Sequence, residues 1–304
     1  MAAPSCFNPI SKIDLWPEEG RLGSRVLWAK LIVHARRFKM RLCEIHIYPL
    51  KSGAGIALKE SFLETRGLQG DRRWLVVDAN GRFLSARTHP RMLLIKAIPD
   101  EKGLSLNAPG MSQIHVPRHT VEQTLGSVSI WKDNCNALYL AQDADSWLSE
   151  FLGTPSHVVY MSDDIERPVS KTNARPGDIV SFADAYPLLL TSKASLADLN
   201  KRLVKPIEMQ RFRANLVIDG IEAFAEDKWQ RLRIGEVEFE CASPCTRCVL
   251  TTIDPFTGNK DPQGEPLKTL KTYRQNDEGV LFGINLIPRS RGNIRVGDLL
   301  EVLA

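Results

Sequence analysis

A chain of 304 residues with 43% hydrophobic and 25% charged residues has the make-up of an ordinary globular protein of about two domains. Its six cysteines are too few for a disulfide scaffold and point to free thiols in a reducing, cytoplasmic setting. The formal charge of +4 sits in residues 1–39, where seven Lys/Arg face Asp14, Glu18 and Glu19, and the remaining 33 basic and 33 acidic residues balance; that balance excludes the electrostatic footprint of a nucleic-acid binder.

Residues 1–39 read as an extension, either a disordered tail or an over-extended start ahead of Met40. Their apolar stretch Val26–Val33 is interrupted by Lys30 and falls short of the roughly 18 apolar residues of a membrane span. No membrane partner is expected. From Arg41 the chain reads as short strands: Leu42–Tyr48, then Trp74–Asp78 and Arg82–Ala86 around Asn80-Gly81, a hairpin signal. Further strands follow at Leu93–Ile98, Leu104–Leu106, Ile114–Val116, Val128–Trp131 and Ala137–Leu140. Helices are expected over Asp143–Leu152, stopped by Gly153 and Pro155, and over Ser192–Leu203, where Leu196, Leu199 and Leu203 form one stripe. Strands at Leu216–Asp219, Arg231–Ile234 and Glu236–Cys241 lead into a cysteine-bearing loop, and Ile294–Val302 closes the chain as a strand pair. The pattern is mainly β with α (α+β), a β-rich domain over 40–160 followed by a β-barrel-like domain over 161–304.

The cysteine segment is Cys241-Ala-Ser-Pro-Cys245-Thr-Arg-Cys248. Its C-x3-C-x2-C spacing matches the radical-SAM iron–sulfur loop, but that loop opens a large α/β barrel, and only 56 residues follow Cys248. Structural zinc would need a second ligand pair, and no Cys or His follows Cys248. A thioredoxin-type Cys-x-x-Cys would open a helix. Cys241 continues the apolar face of its strand, so packing is its role. Cys245 and Cys248 are expected on a loop after Pro244, where the fixed charge of Arg247 favours a nucleophilic or metal-binding thiolate. Three other places could grip an anion: the glycine-bearing turn Lys51-Ser52-Gly53, Arg72 after Gly70-Asp71, and Arg213 before Ala214-Asn215. Locally each is also an ordinary turn or surface charge. Neither Gly-x-Ser-x-Gly nor Gly-x-Gly-x-x-Gly is present.

Taken together, Tyr48-Pro-Leu-Lys51-Ser52, Gly70-Asp71-Arg72, Ser195-Leu-Ala-Asp-Leu-Asn200, Phe212-Arg213-Ala-Asn215, Pro244-Cys245-Thr246-Arg247-Cys248 and Glu265-Pro-Leu-Lys-Thr-Leu resemble the MOSC family over residues 41–304. The branch is the one with a MOSC N-terminal β-barrel domain, which includes the amidoxime-reducing components and their bacterial homologues. The resemblance implies a molybdenum–molybdopterin cofactor and reduction of N-hydroxylated compounds (hydroxylamines, N-hydroxylated bases, amidoximes) to amines. It makes Cys248 the catalytic thiolate ligand of molybdenum, with Thr246 and Arg247 beside it, and gives Lys51, Ser52, Arg72, Arg213 and Asn215 the pterin and its phosphate. It also carries a family-level association with pyridoxal phosphate. This chain departs from the pattern at Ala185 and Tyr186 before Pro187, where relatives have two hydroxyl residues, and at Asn285, where they have a tyrosine. With no fused ferredoxin domain, a separate electron donor is implied: a flavin reductase, a ferredoxin or a cytochrome-b5-like carrier. The alternative is a molybdenum-cofactor or persulfide carrier working through Cys248.

Overall fold

The computed structural model describes residues 39–304 except 120–122, 141 and 172, so the extension expected over residues 1–39 lies outside the described residues but for Lys39. The described chain is mainly β with a few helices. Its largest sheet has nine strands, in the order Leu300–Val302, Arg231–Ile234, Val237–Arg247, Gly279–Pro288, Leu188–Ser192, Leu216–Asp219, Arg41–Ile47 and Ile56–Leu58, with Gln275–Asn276 paired to Gly279–Pro288. All neighbours are antiparallel except Leu188–Ser192 and Leu216–Asp219. A parallel pair needs a crossover, and the helix Lys193–Arg202 lies in that connection. Ser192 starts this helix by accepting a hydrogen bond on its hydroxyl from the Ser195 N–H at 3.0 Å.

Alternation along these strands buries Leu42, Ile45, Leu190, Leu216, Ile218, Leu232, Phe239 and Leu286 in one core. A four-stranded sheet of Trp74–Val77, His157–Tyr160, Asp133–Tyr139 and Thr124–Ile130, and a three-stranded sheet of Lys96–Pro99, Gly103–Asn107 and Ile114–Pro117, carry the strands between Trp74 and Tyr160. The helix Gln142–Leu152 buries Ala144, Trp147, Leu148 and Phe151 against them.

Four expectations from the sequence are corrected. The turn at Asn80-Gly81 forms, but its second arm is not a strand: Phe83 makes a single bridge to Val77 and Arg82 bridges Ser129 instead. Leu93 and Leu94 belong to a 3-10 turn, Pro90–Leu94, and the strand begins only at Lys96, because Pro90 pre-sets the φ of a helical first turn. Ile294–Val302 is not a pair: Gly292–Arg295 joins Glu60–Glu64 and Leu300–Val302 joins Arg231–Ile234. In the cysteine segment only Cys248 lies on a loop. The strand Val237–Arg247 runs through Cys241 and Cys245, with register shifts between Cys241 and Ser243 and between Pro244 and Thr246. Pro244 interrupts a ladder only where N–H pairing is required, and bulges relax that requirement.

Candidate functional site

The site is built on Tyr48, which follows the strand Arg41–Ile47 and is 2% exposed. Its hydroxyl donates to the Ala214 carbonyl at 3.2 Å and its N–H to Asp71 Oδ1 at 2.7 Å, tying three distant segments together. The guanidinium carbons of Arg72 and Arg213 lie 4.5 and 4.2 Å from its ring centre, within cation–π range. Gly55 allows this packing, since a Cβ there would meet the Tyr48 ring at 2.6 Å. Burial pushes the Tyr48 hydroxyl up and the Arg213 guanidinium down to about 10; for Arg213, Tyr48 opposes the shift and the Arg72 charge adds to it. Arg213 stays a cation at neutral pH.

Asn215, 1% exposed, holds this pair in register. Its Oδ1 accepts from Arg72 Nη1 at 2.9 Å and from the Leu189 N–H at 3.2 Å, while Nδ2 donates to the His46 carbonyl at 3.1 Å. Three of the four hydrogen bonds open to an amide are thus made within the protein. Arg72 also donates to the Arg213 carbonyl at 3.2 Å, and Arg213 Nη1 to the Gly53 carbonyl at 2.7 Å. Lys51 is 7% exposed; its ammonium donates to the Phe182 carbonyl at 2.7 Å and to Asp184 Oδ1 at 2.5 Å. Burial lowers the Lys51 ammonium, and Asp184 opposes that shift. Burial would raise the Asp184 carboxyl, yet the Lys51 charge, hydrogen bonds from Lys51 and Trp131, and the Arg87 charge hold it well below the usual carboxylate range.

On the cysteine strand, Arg247 Nη1 donates to Cys245 Sγ at 2.9 Å and Nη2 to the Phe212 carbonyl at 2.6 Å. The guanidinium thus engages Cys245, the nearer expected partner, while half-buried Cys248 caps the 3-10 turn Val249–Thr252 through its backbone only. Cys241 packs against the main core, where burial pushes its thiol up to about 12, with Glu240 adding to the effect. Along an extended strand, four residues separate side chains by roughly 13 Å, whereas metal–sulfur bonds are about 2.3 Å. The three cysteines therefore do not form one metal cage, and among the described residues no group of three His, Cys, Asp or Glu is placed to hold a metal ion.

Lys51, Ser52, Arg72, Arg213, Asn215, Thr246, Arg247 and Cys248 all line one cleft of about 410 Å³. The structure brings together all eight residues singled out in the sequence. Ser52, Arg72 and Arg213 have φ of 67°, 49° and 55°, a left-handed conformation that costs non-glycine residues roughly 1–3 kcal/mol and gathers at functional sites. The lining also holds residues missed in the sequence: Arg87, Trp131, Lys171 and Asp184. Only Asp184, two residues before the Tyr186-Pro187 departure, had a nearby signal. Ala185, Tyr186 and Asn285 line the cleft as well, and Asn285 Nδ2 donates to Ser243 Oγ at 3.2 Å. Six cations (Lys51, Arg72, Arg87, Lys171, Arg213 and Arg247) line the cleft with one carboxylate, Asp184, while Arg72 is also paired with the buried Asp71 behind it at 2.5 Å. Such a lining suits a polyanion beside a soft sulfur.

Comparison with known proteins agrees with this arrangement. A MOSC N-terminal beta barrel domain matches residues 39–155 and a MOSC domain matches residues 177–301. Mitochondrial amidoxime-reducing component 1 of Homo sapiens is 34% identical over 283 residues, covering 86% of this chain and 82% of that protein. Mitochondrial amidoxime reducing component 2 of Rattus norvegicus is 34% identical over 274 residues, covering 84% and 81%. The crystal structure of the YUAD protein from Bacillus subtilis overlaps 86% of this chain and 94% of its own at 10% identity and a TM-score of 0.39, too loose a likeness to inform the site. With this identity, extent and pair of domains, the chain belongs to the MOSC family, among the relatives of the amidoxime-reducing components.

Proposed function

We propose that this protein is a molybdenum-cofactor-dependent oxidoreductase that reduces N-hydroxylated compounds to amines: R–NHOH plus two electrons and two protons gives R–NH2 and water. The observation that carries the reading is the convergence of six cations and the Cys248 thiol on one cleft that lacks a three-ligand metal cage of its own. A molybdopterin fits such a cleft, because it brings phosphate for the cations and dithiolene sulfur that makes a single protein thiolate sufficient. When bound, it supplies two-electron chemistry at a metal able to accept an oxygen atom.

The chain's own residues then have distinct tasks. Arg72 and Arg213, stacked on Tyr48 and locked by Asn215 and the Gly53 carbonyl, present a preorganised pair of guanidinium groups to the phosphate. Asn215, with most of its amide engaged, positions Arg72. Arg247 braces the cleft wall, its terminal nitrogens holding Cys245 and the Phe212 carbonyl. Cys248 must shed its proton to solvent before it can bind the metal. Lys51 and Asp184 brace the wall as an ion pair. Electrons come from a separate carrier protein, a flavin reductase, ferredoxin or cytochrome-b5-like donor. No helix among the described residues is long and apolar enough to cross a membrane.

The test is elemental analysis of wild type and Cys248→Ala from a host competent in molybdopterin synthesis, with reduction of an amidoxime by a chemically reduced dye. The expected result is about one molybdenum per wild-type chain and amine formation. In the variant both fall by at least about a hundredfold, with stability changed by under about 1 kcal/mol, as for a half-buried residue outside the core. Molybdenum-free wild type carrying labile sulfur on Cys248 would instead establish the persulfide carrier.

A further inference from the structure

The strands Thr124–Ile130 and Asp133–Tyr139 are joined by two residues, Trp131 and Lys132, with Ile130 paired to Asp133. Two-residue hairpin loops need a positive φ at their first position, which is why glycine, asparagine and aspartate dominate there. Trp131 occupies it with φ of 56°. For a bulky residue that conformation is an outlier, at a cost of about 1–2 kcal/mol. The indole is nevertheless left 47% exposed.

Three contacts hold the indole at this strained tip. Its Nε1 donates to Asp184 Oδ1 at 3.0 Å, the Arg87 guanidinium carbon lies 4.2 Å from its ring centre, and Phe83 packs edge-on at 4.6 Å between centroids. Trp131 lines the cationic cleft and also an adjoining cavity of about 560 Å³, with Lys171, Asp184 and Ala185 common to both. It therefore stands where the two spaces meet. The carboxylate beside it offers a cationic substrate little, since Asp184 already engages Lys51, Arg87 and Trp131. What the junction does offer is an exposed aromatic surface, fixed in place before any ligand arrives. Aromatic surfaces of this kind bind flat conjugated groups by stacking, with little demand on their hydrogen-bonding pattern.

We propose that Trp131 is a specificity-determining residue whose indole stacks on the planar, conjugated part of the substrate, so that the protein favours aryl and heteroaryl N-hydroxylated compounds over aliphatic hydroxylamines. The proposal rests on the reductase reading above and adds the selecting residue.

Wild type, Trp131→Phe and Trp131→Gly, each with its molybdenum content measured, are compared on benzamidoxime and on N-methylhydroxylamine. Each is also titrated calorimetrically with benzamidine, the flat product. Stacking on an aromatic is worth about 1–3 kcal/mol, so the aryl-to-aliphatic ratio of kcat/KM is expected to fall about tenfold or more in Trp131→Gly, through KM rather than kcat. Trp131→Phe keeps most of the ratio, and benzamidine affinity follows the same order. An unchanged ratio in Trp131→Gly overturns the proposal. So does a Phe variant as poor as the Gly variant, since the indole N–H to Asp184 would then be the requirement, and so does loss of molybdenum from Trp131→Gly. If wild type reduces neither compound, the reductase reading fails on its own, and the titration still decides for Trp131: weaker benzamidine binding in Gly than in Phe upholds stacking, and equal binding in all three removes it.

Discussion

The strand Val237–Arg247 changes character halfway along. From Val237 to Ala242 it alternates as a half-buried strand should: Val237 and Phe239 are fully buried, Cys241 packs behind them, and pairing to Gly279–Pro288 is regular up to Cys241. From Ser243 to Arg247 no residue is buried, the register shifts twice, and Cys245, Thr246 and Arg247 line the cationic cleft. A bulge adds one residue to one strand only and so re-aims every side chain after it. One continuous element thus serves as core at one end and as cleft wall at the other. Cys241 and Cys245 are chemically the same residue four positions apart; one is anchored in apolar packing and the other meets Arg247.

The contrast is broken most forcefully at its buried end. Phe239→Ala is expected to lower stability by about 3–5 kcal/mol, the cost of emptying an aromatic site in a packed core, and urea denaturation beside wild type measures it. A loss under about 1 kcal/mol would show that this half is not core. Thiol chemistry sharpens the same contrast. With its thiol near 12 against an ordinary 9.0, native Cys241 is expected to alkylate about a thousandfold more slowly at pH 8 than an unperturbed thiol. In urea it reacts at the ordinary rate, and peptide mapping after iodoacetamide follows both. Because burial favours the protonated form, this group also withdraws stability as pH rises above the unfolded thiol range. The smallest effect concerns the charged wall of the cleft. Asp184 is held ionised in the folded state, so its contribution is present above the ordinary carboxylate range and is lost as pH falls below it. The carboxylate is half exposed, which limits the size of the effect. Asp184→Asn is expected to give a shallower loss of stability between about pH 5 and pH 3 in thermal melts; an unchanged slope would mean that Lys51 and Arg87 do not act on it.

Much of this site could be read from residue types in sequence, because its chemistry is concentrated in short segments: Lys51-Ser52, Asp71-Arg72, Arg213 to Asn215, and Thr246 to Cys248. Their convergence could not be read locally. Tyr48 joins residues 71 and 214 through hydrogen bonds, and singly Arg72 and Arg213 look like surface charges. The left-handed backbone at Ser52, Arg72 and Arg213 likewise has no signature in residues that normally avoid it. Pro244 misled by suggesting a loop, since proline is compatible with a strand at a bulge. Trp131 carried no motif at all; its meaning lies in occupying a turn position suited to glycine. Helices were better placed, because apolar spacing is written locally in both, with a glycine and proline stop after Gln142–Leu152 and a serine cap before Lys193–Arg202.

The strand Arg41–Ile47 pairs with Ile56–Leu58 close by in sequence, yet its first residues also meet a segment from far along the chain. Arg41 bridges Leu299, Leu42 exchanges backbone hydrogen bonds with Gly297 and Asp298, and the Leu300 N–H donates to the Met40 carbonyl at 2.9 Å. Contacts of such sequence separation close late, after the loop entropy between them has been overcome. During synthesis, a ribosome that has not yet released residues near 300 holds a chain whose first strand still lacks this edge. The cleft draws on residues 51, 72, 213 and 248, so it cannot form on a nascent chain before residue 248 has emerged. Whatever fills it is captured only after these four segments have met.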